Sequence, residues 1–258
     1  MIPYRLNPLG IRVNEVIPLT LTAEQAGSTV TLNATGSPTV SGLHYRLGKS
    51  GEWLPYTIGT TITLTNVGDC VQFWNSATVL SIDSGNFVQF SMSGAIEASG
   101  TIQSLLNFSK NCYRSCFFNI MRGCASMITP PEFSATTLGD YCYYRALREC
   151  SSITNSPVLP AVTLAEGCYY EMCRDCSSLV SGGPIKANSL NNYSLAYLFY
   201  NCPNLAEIEV DFLSWAGTNI AQNWVSGVAA AGTFTKPTAL SEEYGANRIP
   251  SGWTVVNK

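Results

Sequence analysis

The feature that most constrains this chain is a 26-residue repeat in its second half. Cys116, Cys142 and Cys168 share that spacing, as do Cys124, Cys150, Cys176 and Cys202. Other apolar columns follow it: Met127, Ile153, Leu179 and Leu205; Phe133, Leu159 and Ile185; Leu138, Leu164 and Leu190; Phe117, Tyr143, Tyr169 and Leu195. A unit this short cannot cover its own apolar face, so units must stack to share a core, and the two ends need caps. Within one unit, Cys142 to Cys150 contains no breaker and reads as two helical turns. Ser151 to Thr154 reads as a short strand, closed by Pro157 and Pro160. The expected fold of residues 99–219 is therefore a solenoid of about four turns, mixed β and α/β. If its strands form a parallel ladder at ~4.8 Å, the array is a stub of about 20 Å. The period is lost from Asn219, so residues 220–258 read as a C-terminal cap.

The first half carries a different period. Leu19 to Thr22, Thr29 to Asn33, Leu43 to Leu47, Trp53 to Thr57, Thr60 to Thr65, Cys70 to Trp74 and Asn86 to Met92 are short alternating or β-rich runs separated by Gly, Ser, Pro and Asp turns. That pattern predicts an antiparallel β-sandwich over residues 17–98, placed to cover the first end of the array. Residues 1–16 contain Pro3, Pro8 and Gly10 and show no period, so they read as an extended arm. Its apolar residues Tyr4, Leu6, Leu9 and Ile11 are candidates for anchoring the chain to a larger assembly.

Composition narrows the function classes. Of 258 residues, 46% are hydrophobic and only 12% are charged, against a usual charged share of about 25%. A net charge of −3 supplies no basic footprint for nucleic acid. No apolar run approaches the ~18 residues of a membrane span. The start, Met1 to Pro8, has neither the basic end nor the apolar stretch of a signal peptide, so no secretory route is expected.

Chemically suggestive residues have plainer readings. Cys173 and Cys176 match the spacing of a redox dithiol or half a zinc site, yet Cys173 lies in the column of Met121, Leu147 and Phe199, which reads as core. Cys112 and Cys116, at the edge of the array, are the candidates for an exception, and a disulfide ladder between units is conceivable. The single histidine, His44, reads as a surface residue on a strand, since nothing brings a cysteine to it. Glu207 and Glu209, two apart on a strand, share a face, which a solvated edge explains as well as a paired acid and base does. Asp83 to Asn86 is turn chemistry, because the alternating oxygen ligands of a calcium loop stop there. No catalytic, cofactor-binding or metal-ligating set emerges, and no cofactor is expected.

One surface pattern remains. Arg122, Arg148 and Arg174 form a column, with Glu149 and Asp175 directly following the last two. Arg145, Glu171 and Tyr197 form a second column three residues earlier in the units. These residues read either as a solvated, partly self-neutralised face or as a docking surface for a sister subunit or an acidic glycan. Tyr143, Tyr144, Tyr169, Tyr170, Tyr193, Tyr197 and Tyr200 concentrate in the array and suit both core walls and interfaces.

Cys142-Tyr143-Tyr144 through Ile153, followed by Leu159-Pro160-Ala161-Val162-Thr163-Leu164-Ala165-Glu166-Gly167-Cys168, resembles the BspA-like leucine-rich repeats of gut Bacteroidales and their phages. Ile249 to Val255 is similar to the motif that closes such arrays, and Ala23 to Gly42 to the small β-domain that precedes them. The first and third units depart from the pattern, with Phe133-Ser134 and Ile185-Lys186 where Leu-Pro is usual. The resemblance implies a non-enzymatic binding module. A bacterial surface adhesin is expected to carry a signal peptide or an early lipoprotein cysteine, whereas the first cysteine here is Cys70. The leading expectation is therefore a virion decoration or head-fibre subunit of a crAss-like phage, homo-oligomeric, held to other virion proteins by its arm and exposing its repeats to a host-surface glycan or protein. A bacterial cell-surface adhesin is the alternative.

Overall fold

A computed structural model describes residues 16–80 and 83–258; the arm residues Tyr4, Leu6, Leu9 and Ile11 lie outside the described residues. The described chain is β-rich, with several sheets and no closed barrel. The one helix among the described residues is a 3₁₀ turn at Ile102–Leu106, started by the Thr101 side chain accepting from the Gln103 N–H. Among the described residues, no helix is long and apolar enough to cross a membrane.

The alternating runs of the first half form eight strands: β1 (Leu19–Ala23), β2 (Ser28–Thr35), β3 (Leu43–Leu47), β4 (Leu54–Pro55), β5 (Thr61–Leu64), β6 (Cys70–Asn75), β7 (Phe87–Ser93) and β8 (Ile96–Ser99). Seven overlap the runs read from sequence, and β8 is additional. They divide into two sheets. One runs β4-β3-β6-β1-β8 and the other β5-β2-β7, all antiparallel. Period-two burial explains the division: Leu19, Leu21, Val71 and Phe73 from the first sheet and Val30, Leu32, Val88 and Phe90 from the second are buried. The sheets meet at Phe73 and Phe90, whose rings pack edge to face at 5.2 Å. The Tyr56 hydroxyl accepts from the Leu32 N–H at 2.9 Å across the same interface.

The first sheet does not stop at residue 98. β9 (Met127–Thr129) adds to β8 in parallel, so the ladder runs on into the repeated half. The second sheet also touches the first unit: the Phe90 N–H donates to Ile120 O, the Cys124 thiol donates to Phe90 O and Gln89 Nε2 donates to Arg122 O. Buried side chains from both halves form one continuous core.

The 26-residue spacing is expressed in the main chain. Asn111 bridges Thr137, Asn155 bridges Ser181, Leu159 bridges Ile185 and Thr163 bridges Ser189, all in parallel. β10 (Ser181–Ile185), β11 (Glu207–Val210), β12 (Thr233–Lys236) and β13 (Thr254–Asn257) continue as a parallel four-stranded sheet. Glu207 pairs with Thr233 at the same 26-residue offset.

Two expectations are corrected here. Cys142 to Cys150 is not helical. It is a ribbon of consecutive turns in which every fourth residue is left-handed: Tyr141 (φ 53°), Arg145 (φ 55°) and Glu149 (φ 64°). The N–H groups of Tyr143, Arg145, Leu147 and Glu149 donate to the carbonyls of Cys168, Tyr170, Met172 and Arg174, each 25 residues ahead, at 2.9–3.0 Å. Those of Tyr144, Ala146, Arg148 and Cys150 close their own turns three residues back. A helix would spend every donor within the unit, whereas the ribbon divides them between its own turns and its neighbour. Non-glycine residues in the left-handed region cost about 1–2 kcal/mol each, and the inter-unit bonds offset that.

The second correction concerns residue 219 onward. Asn219, Asn223 and Gly227 repeat the left-handed positions, and the Leu195, Tyr197, Phe199 and Asn201 N–H groups donate to Ile220, Gln222, Trp224 and Ser226. The backbone repeat thus persists for another unit while the side-chain columns change. Beyond it the offset shortens, with Thr233 paired to Thr254. Lys236, at 1% exposure, pins this end: its Nζ donates to Leu240 O at 2.7 Å and to Asn257 Oδ1 at 2.9 Å.

Candidate functional site

The turn ribbon carries the residues singled out in the sequence on one face. Because units align at one fixed offset, equivalent side chains stack. Phe118 and Tyr144 lie 4.9 Å apart at 3° between ring planes, and Tyr144 and Tyr170 lie 5.0 Å apart at 14°. The next residue of that column is Ala196, and Tyr197 from the neighbouring column packs on Tyr170 instead, at 5.6 Å and tilted by 51°. These separations approach the strand spacing of about 4.8 Å, so the rings follow the main-chain ladder. A second row, Phe117, Tyr143 and Tyr169, stacks at 5.6 and 5.9 Å inside the core. The tyrosines therefore divide between wall and surface, with Tyr144, Tyr170, Tyr193, Tyr197 and Tyr200 half-buried.

The charged columns form one network. Glu171, only 4% exposed, accepts from Arg145 Nε at 2.6 Å, from Arg148 at 2.7 Å and from Arg174 at 2.9 Å. Glu149 accepts from Arg122 at 3.2 and 3.3 Å. Arg148 Nε also lies 3.1 Å from Glu149 Oε1, but it is not aligned for a hydrogen bond, so that contact is Coulombic. Asp175 pairs with Arg174 at 3.2 Å and with Arg148 at 3.5 Å. Arg145 lies over Tyr144 and Arg174 over Tyr200, each at 4.7 Å, and Arg174 reaches Tyr197 at 5.9 Å. Arg174 is held above its ordinary value: burial works against the charge, and Glu171 and Asp175 outweigh it.

All six residues read as an interaction surface are thus brought together: Arg122, Arg145, Arg148, Arg174 and Glu171 by ion pairs and Tyr197 by its place beside Arg174. The face is self-neutralised, as one of the two sequence readings held, but its centre is largely buried rather than solvated. An acidic partner would have to compete with carboxylates already in place.

The cysteines take the core role. All ten are free and buried, so no disulfide ladder forms. The Cys150, Cys176 and Cys202 thiols donate to the carbonyls of Met121, Leu147 and Cys173 at 3.1–3.2 Å, each 29 residues back, which ties one unit to the previous one. Burial pushes the Cys124 thiol up to about 12 and raises Cys173 and Cys176 strongly. Cys112 differs. Burial opposes its thiolate, while Cys116, Cys142, Tyr143 and Gln103 surround it with hydrogen bonds that bring its value below that of an ordinary thiol. Burial and this neighbour drive Cys116 and Cys142 the other way. No group of cysteines, histidine and carboxylates suited to a metal ion occurs among the described residues.

The remaining candidates fall as follows. His44 is half-buried, with Nδ1 2.7 Å from Gly42 O and its ring 5.2 Å from Trp74. Asp83 Oδ1 accepts from the Gly85 and Asn86 N–H groups at 2.7 and 2.9 Å, as a turn requires, and these bonds lower its pKa. Glu209 of β11 is ion-paired to Lys258 and Lys186 at 2.6 and 3.2 Å. Of the three arginines on Glu171, Arg145 shares its column and Arg174 lies three residues on, whereas Arg148 reaches it across both unit and column, a convergence that no spacing in the sequence marks. With this geometry established, the chain matches no protein-family model, no curated protein and no solved structure.

Proposed function

We propose that this chain is a non-enzymatic display and recognition protein: a short solenoid of BspA-like leucine-rich repeats, headed by a β-sandwich and serving as a virion decoration or head-fibre subunit. The observation that carries this reading is the run of inter-unit main-chain bonds at a fixed 25-residue advance, continued from the Phe117 N–H to the Asn201 N–H. Such a run is what a stack of equivalent repeats needs, and it holds side chains in fixed rows over an extended face. The half-buried tyrosine row and the internally paired charges support recognition by shape and hydrogen bonding rather than by net charge. Weak contacts of that kind gain strength when many copies share one particle. The virion assignment draws on the sequence resemblance and on the reading of residues 1–16 as an arm, which rests on the sequence alone.

Light scattering of the intact chain and of a variant lacking Met1 to Val16, under reducing conditions, tests the anchoring part. The expected result is a defined oligomer that the deletion disperses without unfolding. Monomers in both cases would move the reading to a bacterial surface adhesin. A purified sample that cleaves glycans or reduces disulfides, with the activity abolished by Cys173→Ser or His44→Ala, would overturn the non-enzymatic reading altogether.

A further inference from the structure

Where the two-sheet half meets the first steps of the ribbon, the Asp83–Asn86 turn and the first two units enclose a cleft of about 430 Å³. That volume falls within the ~300–1,000 Å³ of small-ligand sites. Ser84, Arg114, Asn119, Tyr141 and Arg145 line it. Its floor contains an anomaly. Asn119 is 5% exposed, and its Oδ1 is buried without a hydrogen-bond donor among the described residues. The next residues in its column, Arg145 and Glu171, are paired to one another. A buried acceptor left alone is costly and calls for a donor.

The surrounding chemistry narrows what could supply that donor. An anion is disfavoured, because Arg145 is committed to Glu171 and the cleft also holds Asp83, with Asp140 beside Arg114. A simple cation meets Arg114 and Arg145. What remains is a balanced mixture of donors and acceptors: the Arg114 guanidinium, the Ser84 hydroxyl and the Asn119 amide. Arg114 is mostly exposed, 3.9 Å from Asp140, and lies 5.7 Å over the Tyr141 ring, so it can swing aside. Tyr141 itself is fixed. Its hydroxyl donates to Glu166 Oε1 at 2.7 Å, and its ring packs so closely on Gly167 that a Cβ there would lie 2.3 Å from the ring. By contrast, Phe118 and Tyr144 spend their faces on each other.

We infer that this cleft binds a neutral saccharide, one pyranose ring seated between Arg114, Tyr141 and Asn119. With the Asn119 amide turned toward the cleft, a sugar hydroxyl donates to its Oδ1, other hydroxyls accept from Arg114, and the apolar face of the ring lies on Tyr141. The inference rests on the surface-recognition reading and gives it a ligand class.

Saturation-transfer NMR tests it on the full chain, using the methyl glycosides of glucose, galactose, mannose and N-acetylglucosamine. At least one should show transfer, and binding should weaken tenfold or more in Asn119→Gly, which tolerates the left-handed backbone at φ 56°. Ser84→Trp, on an exposed turn, should block the cleft with the fold unchanged, while Val256→Thr, exposed on β13, should bind as the parent does. Absence of transfer from all four glycosides, or undiminished binding in both Asn119→Gly and Ser84→Trp, overturns the inference. Beads coated with the protein separate the two readings. Beads that adhere to bacterial cells without competition by any glycoside keep the recognition reading and discard the cleft. Glycosides that bind the cleft of a protein whose beads do not adhere discard the recognition reading alone.

Discussion

Replacing Glu171 by glutamine tests whether the charged face is structural. The change removes one negative charge and little volume from a site where Arg145, Arg148 and Arg174 converge at 2.6–2.9 Å. An amide can still accept from one guanidinium, but its NH₂ group faces another. Breaking a fully buried pair costs about 3–5 kcal/mol. Here the arginine side chains keep 16–27% exposure, Arg148 and Arg174 retain Asp175, and Arg145 retains the Tyr144 ring. Partial solvation and these surviving contacts reduce the expected loss to about 2–3 kcal/mol. For a chain of this length that corresponds to a fall of about 4–12 °C in Tm. Urea unfolding followed by far-UV circular dichroism should show a lower midpoint at unchanged slope, and added salt should narrow the difference. A Glu171→Gln protein within about 0.5 kcal/mol of the parent would refute the reasoning, since the network would then be worth no more than exposed surface pairs.

Three further outcomes follow from the same structure. Lys236→Met leaves the Leu240 carbonyl and the Asn257 amide oxygen without their buried donor and should cost about 1–3 kcal/mol, with hydrogen exchange accelerating first in β12 and β13; unchanged exchange there would count against the pin. A thiol reagent such as Ellman's should modify the folded protein slowly and all ten cysteines in denaturant, because every thiol is buried; fast reaction of several thiols in the native state would contradict the packing. Glu209 is held below the usual carboxylate range by Lys258 and Lys186, and Asp211 by the same lysines against its own burial. Depressed carboxylates contribute stability above their unfolded values and lose it as pH falls through the folded ones, so Tm should decline below about pH 4, and Lys258→Ala should flatten part of that decline; an identical acid profile for the variant would refute the assignment.

The apolar columns were legible in the sequence because each stacked unit presents the same buried volume, so Cys124, Cys150 and Cys176 recur at one spacing. The strands of the first half were legible for the analogous reason at period two. The ribbon was not. Cys142 to Cys150 has good helix formers and no local breaker, and the acceptors that decide the matter lie in the next unit, 25 residues away. A partial signal existed in the small and amide residues at every fourth position, Asn119 and Gly123 and again Asn219, Asn223 and Gly227. The continuation past residue 219 was hidden because Val228 replaces the cysteine column while the backbone keeps its pattern. Of the candidate surface, the pairing of Arg145 with Glu171 could be read from their shared column. The cleft could not, since the Asp83 turn reaches the ribbon only through the packing of β7 on the first unit.

The division of donors within the ribbon also sets how this chain can change in length. Every second N–H closes its own turn, and the alternate ones engage a neighbour at one fixed advance. Removing or duplicating 26 residues between equivalent positions, for instance from Tyr141 to Glu166, therefore returns the inter-unit main-chain bonds, the thiols and the stacked rings to equivalent partners. A change of 25 or 27 would exchange turn-closing donors for bridging ones along the whole inserted unit and send buried side chains outward. The array works like a gear train with a single tooth pitch, able to gain or lose whole teeth between its fixed ends and intolerant of fractions of one.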